Sequence, residues 1–239
     1  ASPVVVAGVG AIGNAVAPTL ALAGVGRLIL CDPDVVEDSN LARCPLFRAS
    51  DVGQPKALVA ARALWAMAPA LQVVPRVAPV ERGVGLGELA SAALVVGGLD
   101  SRAARVALAG RVGLVGVPWL DGATGVWVAE VRAYLDADGP CYACGLMPED
   151  RARGDAPWGC GEAPGLPAAA AAPLSAAVGG ILGLAAVRFL LGLPVSRQIL
   201  ALDATGAVHE LVHTRAADCP FHHRLPAARP VAVTAEDTV

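Results

Sequence analysis

Four residues with the ligand chemistry of a soft divalent metal stand in two pairs far apart in the chain. Cys141 and Cys144 belong to "PCYACG", and Cys219 and His222 to "CPFHH". A Cys-x-x-Cys pair and a Cys-x-x-His pair carry the ligand spacing of a tetrahedral structural zinc site, which four protein ligands would close to substrate and water. His223 competes with His222 for the fourth place. A second set of polar residues comes earlier: Asp32, Asp34, Asn40, Arg43 and Lys56, joined later by Asp100. The two cations, Arg43 and Lys56, would offset charge on phosphates, and an acid among the set suits magnesium. Lys56 is the only lysine among 18 basic residues, which hints at a place where a compact ammonium is required.

The segments around these residues read as an α/β protein. Residues 4–7 are a short β-branched strand, followed by Gly8, Gly10, Ala11 and Gly13 in "GVGAIG", a helical pattern over 14–23, and a second strand over 27–31 that closes on Asp32. Strand, glycine turn, helix and strand form the repeating unit of a parallel sheet, and the turn lets a phosphate rest on the helix N-terminus. Further along, the pattern predicts a helix over 56–68, a strand over 72–77, a loop over 83–87, a strand over 94–96, a helix over 101–109 and a strand over 113–118. Residues 125–135 alternate like an antiparallel strand, 136–167 read as a long loop, 168–187 as an Ala-rich helix, and 199–202 and 208–212 as two more strands. The fold class expected is a Rossmann-like, doubly wound, mainly parallel sheet extended by antiparallel strands and tied by a zinc clip. No linker divides the chain, so one domain over 1–239 is expected, with a nucleotide-binding half over 1–120, an antiparallel and metal-bearing half over 121–224, and a flexible tail over 225–239.

Composition limits the function classes. Of 239 residues, 55% are apolar and 16% charged, enough for a buried sheet. A net charge of −3 without a basic run argues against nucleic acid as a partner. Residues 168–187 carry no charge over a length that could span a bilayer, but Ala and Gly dominate and Pro173 interrupts them, so a buried helix and no membrane are expected. Six cysteines without a secretory signal suggest a reducing, cytoplasmic compartment where paired cysteines hold metal. The glycine turn and Asp32, placed to take a ribose hydroxyl pair, fit a nicotinamide dehydrogenase and an ATP-using enzyme alike. The polar block from Asp32 to Lys56 favours triphosphate chemistry.

Taken together, "GVGAIGN", "DPDVVEDSNLAR", "DVGQPKA", Asp100 after its strand, "PCYACG" and the late "CP" motif closely resemble the ThiF/MoeB/HesA superfamily of ubiquitin-activating-like adenylating enzymes, in order and over nearly the whole chain. The resemblance implies that ATP and the carboxyl terminus of a small β-grasp ubiquitin-like or sulfur-carrier protein, usually ending in Gly-Gly, become an acyl-adenylate and pyrophosphate. It implies that Asp32 binds the ribose, that Asn40, Arg43 and Lys56 contact the phosphates, and that Asp100 takes magnesium. Gly8, Gly10, Ala11, Gly13, Asp34 and Ser101 would complete the nucleotide site. A four-cysteine zinc is common in the family at the clip positions, and His222 is a departure from it. Cys160, in "PWGCGE", falls where some relatives carry a cysteine that accepts the activated carboxyl end. A homodimer or heterodimer, and an arginine-bearing helix ahead of the first strand, are implied in the same way; the sequence enters that strand at Val4. Two other readings stay open: an adenylation-inactive scaffold that docks peptides, and an NAD-dependent oxidoreductase.

Overall fold

The computed structural model describes residues 2–125, 127–136, 138–152, 171–203 and 205–222. Its elements, in chain order, are β1 (Val4–Ala7), α1 (Ala11–Leu22), β2 (Arg27–Cys31), α2 (Asp38–Leu41), α3 (Lys56–Met67), β3 (Gln72–Arg76), α4 (Val80–Gly83), α5 (Leu86–Ala90), β4 (Leu94–Gly97), α6 (Arg102–Val115), β5 (Trp119–Thr124), β6 (Ala129–Tyr134), α7 (Pro148–Ala152), α8 (Ala171–Leu190), β7 (Ile199–Leu202) and β8 (Val208–Leu211). One sheet runs in the order β3-β2-β1-β4-β5-β6-β7-β8. The first five strands are parallel and the last three join antiparallel, an extended mixed sheet of the kind the sequence patterns suggest.

The central strands are apolar throughout because both of their faces are covered. Val4, Val6, Leu28, Leu30, Leu94 and Val96 turn toward α1, α3 and α8, where they meet Val16, Leu20, Leu64 and Leu182. Val5, Ile29 and Val95 turn the other way, toward α4, α5 and α6, and meet Val80, Leu89, Leu108 and Val112. The chain winds outward from β1 through β2 to β3, then crosses back to place β4 on the other side of β1. A cleft opens at that reversal, beyond the carboxyl ends of the strands, where doubly wound sheets bind ligands.

Several elements differ from the sequence expectation, each for a tertiary reason. The helix expected over 101–109 continues to Val115, and the next strand starts at Trp119 instead of at residue 113. Gly110 and Gly113, which resemble helix stops, lie inside α6 because the C-terminal segment packs on them. A Cβ on Gly113 would stand 2.6 Å from the carbonyl oxygen of Phe221. The glycine-rich stretch read as a loop over 83–87 includes the start of α5. The long loop expected after residue 136 contains a 3-10 turn, Tyr142–Gly145, and α7.

Residues Ala172–Leu190 of α8 are long and apolar enough to cross a membrane by length and composition. They pack instead on α1 and the sheet: a Cβ on Gly179 would stand 2.3 Å from that of Ala15, and one on Gly183 2.5 Å from the Thr19 methyl. Small residues at this spacing let two helices approach closely, which explains the composition of α8 without a bilayer.

Candidate functional site

The glycine turn joins β1 to α1 at the switch point. Gly8 adopts φ +86°, a left-handed conformation that favours glycine. A Cβ on Gly8 would also collide with the Gly98 carbonyl at 2.7 Å, so the loops after β1 and β4 touch here. Gly13 lies so close to the Gly8 carbonyl that a Cβ would sit 2.1 Å from its oxygen. Gly10 is the N-cap of α1, without a capping side chain and without an acid in the first turn, so the first amides and the helix dipole are left for an anion.

Asp32 follows β2 and is buried. Its Oδ2 accepts from the Val9 amide at 2.6 Å and its Oδ1 from the Asp34 amide at 2.9 Å, which fixes the carboxylate beside the glycine turn. Burial raises its pKa above the usual carboxylate value; those two bonds and the field of Lys56 offset only part of that effect. Lys56 opens α3. The Lys56 amide donates to the Asp34 carbonyl at 2.9 Å, and its Nζ reaches Asp34 Oδ2 at 2.8 Å. Burial pulls its pKa down, but Asp34 and Asp32 together outweigh that and hold the ammonium above its ordinary value. Asp100, exposed at the end of the β4 loop, completes the rim. A cleft of about 130 Å³ brings Gly8, Gly10, Asp32, Asp34, Lys56 and Asp100 together.

Arg43 and Asn40 do not share that cleft. Arg43 lines a neighbouring one with Ala11, Ala15, Cys44 and Ala172, on the other side of the α1 N-terminus. Its guanidinium makes no hydrogen bond or ion pair among the described residues. Asn40 is buried, and its Oδ1 accepts from the Glu37 amide at 3.1 Å, capping α2. The Ser101 hydroxyl accepts from the Ala104 amide at 3.1 Å and caps α6. The sequence patterns did not single out Asn14 for a role. It donates to the Val9 carbonyl at 2.7 Å and accepts from the Leu46 amide at 2.9 Å, so one buried amide ties the glycine turn to the Arg43 loop. Cys160 and His223 lie outside the described residues.

Away from the cleft lining, Cys141, Cys144, Cys219 and His222 gather their ligand atoms within 4.8 Å of one another. The sulfurs of Cys141 and Cys144 are 3.7 Å apart, those of Cys141 and Cys219 3.5 Å, and Cys144 Sγ lies 3.1 Å from His222 Nε2. A tetrahedral zinc holds thiolates at about 2.3 Å, which sets its ligands somewhat under 4 Å from each other, so the donor set and spacing fit a metal ion. Burial, then the adjacent thiols, push the Cys141 thiol up to about 12, a cost that a bound cation would reverse. Arg151 braces the cluster, with Nε on the Ala143 carbonyl at 2.9 Å and Nη1 on Asp218 at 2.9 Å. His213 places Nε2 2.9 Å from the Cys141 carbonyl. His209 lies exposed, paired with Asp203 at 2.8 Å.

A mainly parallel sheet with a glycine turn at its switch point and a Cys/His cluster packed against α6 defines a doubly wound α/β protein with a ligand cleft. The ThiF family model matches residues 1–221, and the chain belongs to that family. The sulfur carrier protein adenylyltransferase of Thermus thermophilus is 34% identical over 225 residues, covering 91% of this chain and 80% of that protein. The SAMP-activating enzyme E1 of Haloferax volcanii is 34% identical over 92% of this chain and 79% of its own length. The molybdopterin-synthase adenylyltransferase of Escherichia coli is 32% identical over 85% and 79% respectively. The crystal structure of E. coli MccB with ATP superposes with a TM-score of 0.74 at 22% identity, a likeness of fold that covers 92% of this chain and 66% of the MccB chain.

Proposed function

We propose that the protein is an ATP-dependent adenylyltransferase that activates the C-terminal carboxylate of a small ubiquitin-like or sulfur-carrier protein. The observation that carries this reading is the single cleft shared by Gly8, Gly10, Asp32, Lys56 and Asp100 at the switch point, in a chain about one-third identical to adenylyltransferases of such carriers.

Each residue then has one task. The α1 amides and Lys56 receive the phosphates, Asp32 takes the ribose hydroxyls, and Arg43, without a partner among the described residues, turns to the triphosphate or the incoming carboxylate. Asp100 supplies a hard oxygen for magnesium, which when bound neutralises phosphate charge. A carboxylate oxygen of the carrier attacks the α-phosphorus, the bond to the bridging oxygen breaks, and pyrophosphate leaves with the electron pair. No general base is required, because the attacking carboxylate is already ionised near neutral pH. Catalysis is therefore placement of two anions against each other and compensation of their charge. Zinc, held by Cys141, Cys144, Cys219 and His222, is structural in this reading, since a fully protein-ligated metal offers no open position.

The test is ATP–pyrophosphate exchange with a panel of β-grasp proteins ending in Gly-Gly. Exchange with at least one, and its loss by about a hundredfold or more in Lys56→Ala and Asp100→Ala with unchanged circular dichroism, is expected. A variant that exchanges at the parent rate would show the site to be misplaced. A parent inert toward every carrier would favour the docking-scaffold reading.

A further inference from the structure

We propose that Arg105 is a positioning residue that sets the turn carrying Asp100, with Asp121 as its anchor in the sheet. The inference rests on the reading of Asp100 as the magnesium-holding acid.

Arg105 occupies the first turn of α6 and is 4% exposed, at a place where an apolar helix face would be expected. Its Nε donates to Asp121 Oδ2 at 3.0 Å, and its Nη2 donates to the Gly122 carbonyl at 3.0 Å and to the Leu99 carbonyl. The planar fork therefore fixes β5 and the loop after β4 in one frame. Leu99 immediately precedes Asp100. Asp121 is fully buried on β5, and its second oxygen lies over Gly97, where a Cβ would come within 2.7 Å. Burial raises its pKa, opposed by the fields of Arg105 and Arg132.

Arg132 is the informative neighbour. Its Nη1 donates to the same Asp121 oxygen at 3.2 Å, but the rest of its guanidinium turns to Glu130 and stacks 5.4 Å from the Tyr142 ring centroid. Both arginines neutralise Asp121, yet only Arg105 bonds the carbonyl next to Asp100. An ion pair needed for stability alone would not require that third bond.

The experiment titrates Mg²⁺ at fixed α,β-methylene-ATP and follows nucleotide binding by calorimetry in the parent, Arg105→Lys and Arg132→Lys. Lysine keeps the charge opposite Asp121 but cannot bond three acceptors in one plane. In Arg105→Lys the Mg²⁺ concentration for half-maximal binding should rise about tenfold, as when a group that orients a metal ligand is lost, with binding in EDTA unchanged. Arg132→Lys should lower the melting temperature and leave the Mg²⁺ dependence where it was. Equal shifts in the two variants, or none in Arg105→Lys, would overturn the assignment. Should Arg105→Lys not accumulate as folded protein, Asp121→Asn has the same shape, loosens the anchor of Arg105, and must give the same Mg²⁺ shift. Asp100→Ala in the same titration separates the two levels of argument. If it leaves the Mg²⁺ dependence intact, the reading of Asp100 itself fails and takes the role of Arg105 with it.

Discussion

Asp32 has one observed task and one proposed. Its carboxylate stabilises the glycine turn through the Val9 amide, and it is the acid assigned to the ribose. Burial raises its pKa, with the bonds from Val9 and Asp34 and the field of Lys56 pulling the other way. A raised folded-state pKa means that the folded protein takes up this proton more readily than the unfolded chain does. The contribution of Asp32 to stability therefore falls as pH rises through the interval between its unfolded and folded values. Ligand binding runs in the opposite direction, because only the ionised form accepts hydroxyl hydrogens on both oxygens. Nucleotide affinity should weaken on the acid side at a pH above that at which an ordinary aspartate titrates. Asp32→Asn should lose that acid limb and bind about 1.5–3 kcal/mol more weakly near neutrality, the range for a hydrogen bond to a charged acceptor. Calorimetry of α,β-methylene-ATP binding against pH checks this. Superimposable acid limbs in parent and variant would place the titrating group elsewhere.

At the scale of elements, α6 carries the clearest contrast between local pattern and tertiary cause. Its two inner glycines look alike in sequence, yet the Cβ positions differ. At Gly110 a Cβ would make ordinary contact with the Phe221 ring at 3.5 Å, whereas at Gly113 it would strike the Phe221 carbonyl oxygen at 2.6 Å. Phe221 sits between Cys219 and His222. Gly110→Ala should accordingly be neutral or stabilising by up to about 1 kcal/mol, from helix propensity. Gly113→Ala should cost about 1–3 kcal/mol by overpacking and should shed metal more readily to a chelator. Thermal melts with metal analysis distinguish the two, and equal behaviour of both variants would refute the account. The same contrast explains what the sequence could reveal. β1, the glycine turn, α1 and β2 are legible because their signals are local: β-branched runs, a glycine turn, and an acid at a strand end. The end of α6 is not legible, because a glycine kept for close backbone approach cannot be told from one that ends a helix until the chain from 219 onward is in place.

For the whole molecule, the strand order decides what was readable and what was not. The paired cysteines could be matched across the 74 positions between Cys144 and Cys219 because metal ligation restricts residue type so strongly. Asp32, Lys56 and Asp100 are brought together only by the reversal that puts β4 beside β1. Arg105 and Asp121 escaped notice, since nothing local shows that two charges sixteen positions apart will meet in the core. Arg43 was expected in the same cleft, but the Asn14 bridge holds its loop on the far side of α1. The two candidate sites share α6 but meet it at different turns. The nucleotide cleft is built on the ends of β1, β2 and β4 with α1, α3, α4 and the first turn of α6, while the Cys/His cluster packs the chain after β6 and β8 onto later turns of α6. Asp100 is anchored through Arg105 to β5, not through the cluster. Stripping the metal should therefore lower the melting temperature without abolishing nucleotide binding. For a chain of this size each kcal/mol lost moves the midpoint by about 2–4 °C, so a fall on the order of 10 °C is expected if the clip contributes several kcal/mol. The protein as purified should contain one zinc per chain. After chelation below the new midpoint, its affinity for Mg²⁺ and α,β-methylene-ATP should stay within about threefold of the untreated protein, a change of under 1 kcal/mol. If affinity collapses while the far-ultraviolet circular dichroism persists, the metal cluster governs the cleft, and the separation of the two sites argued from the topology is wrong.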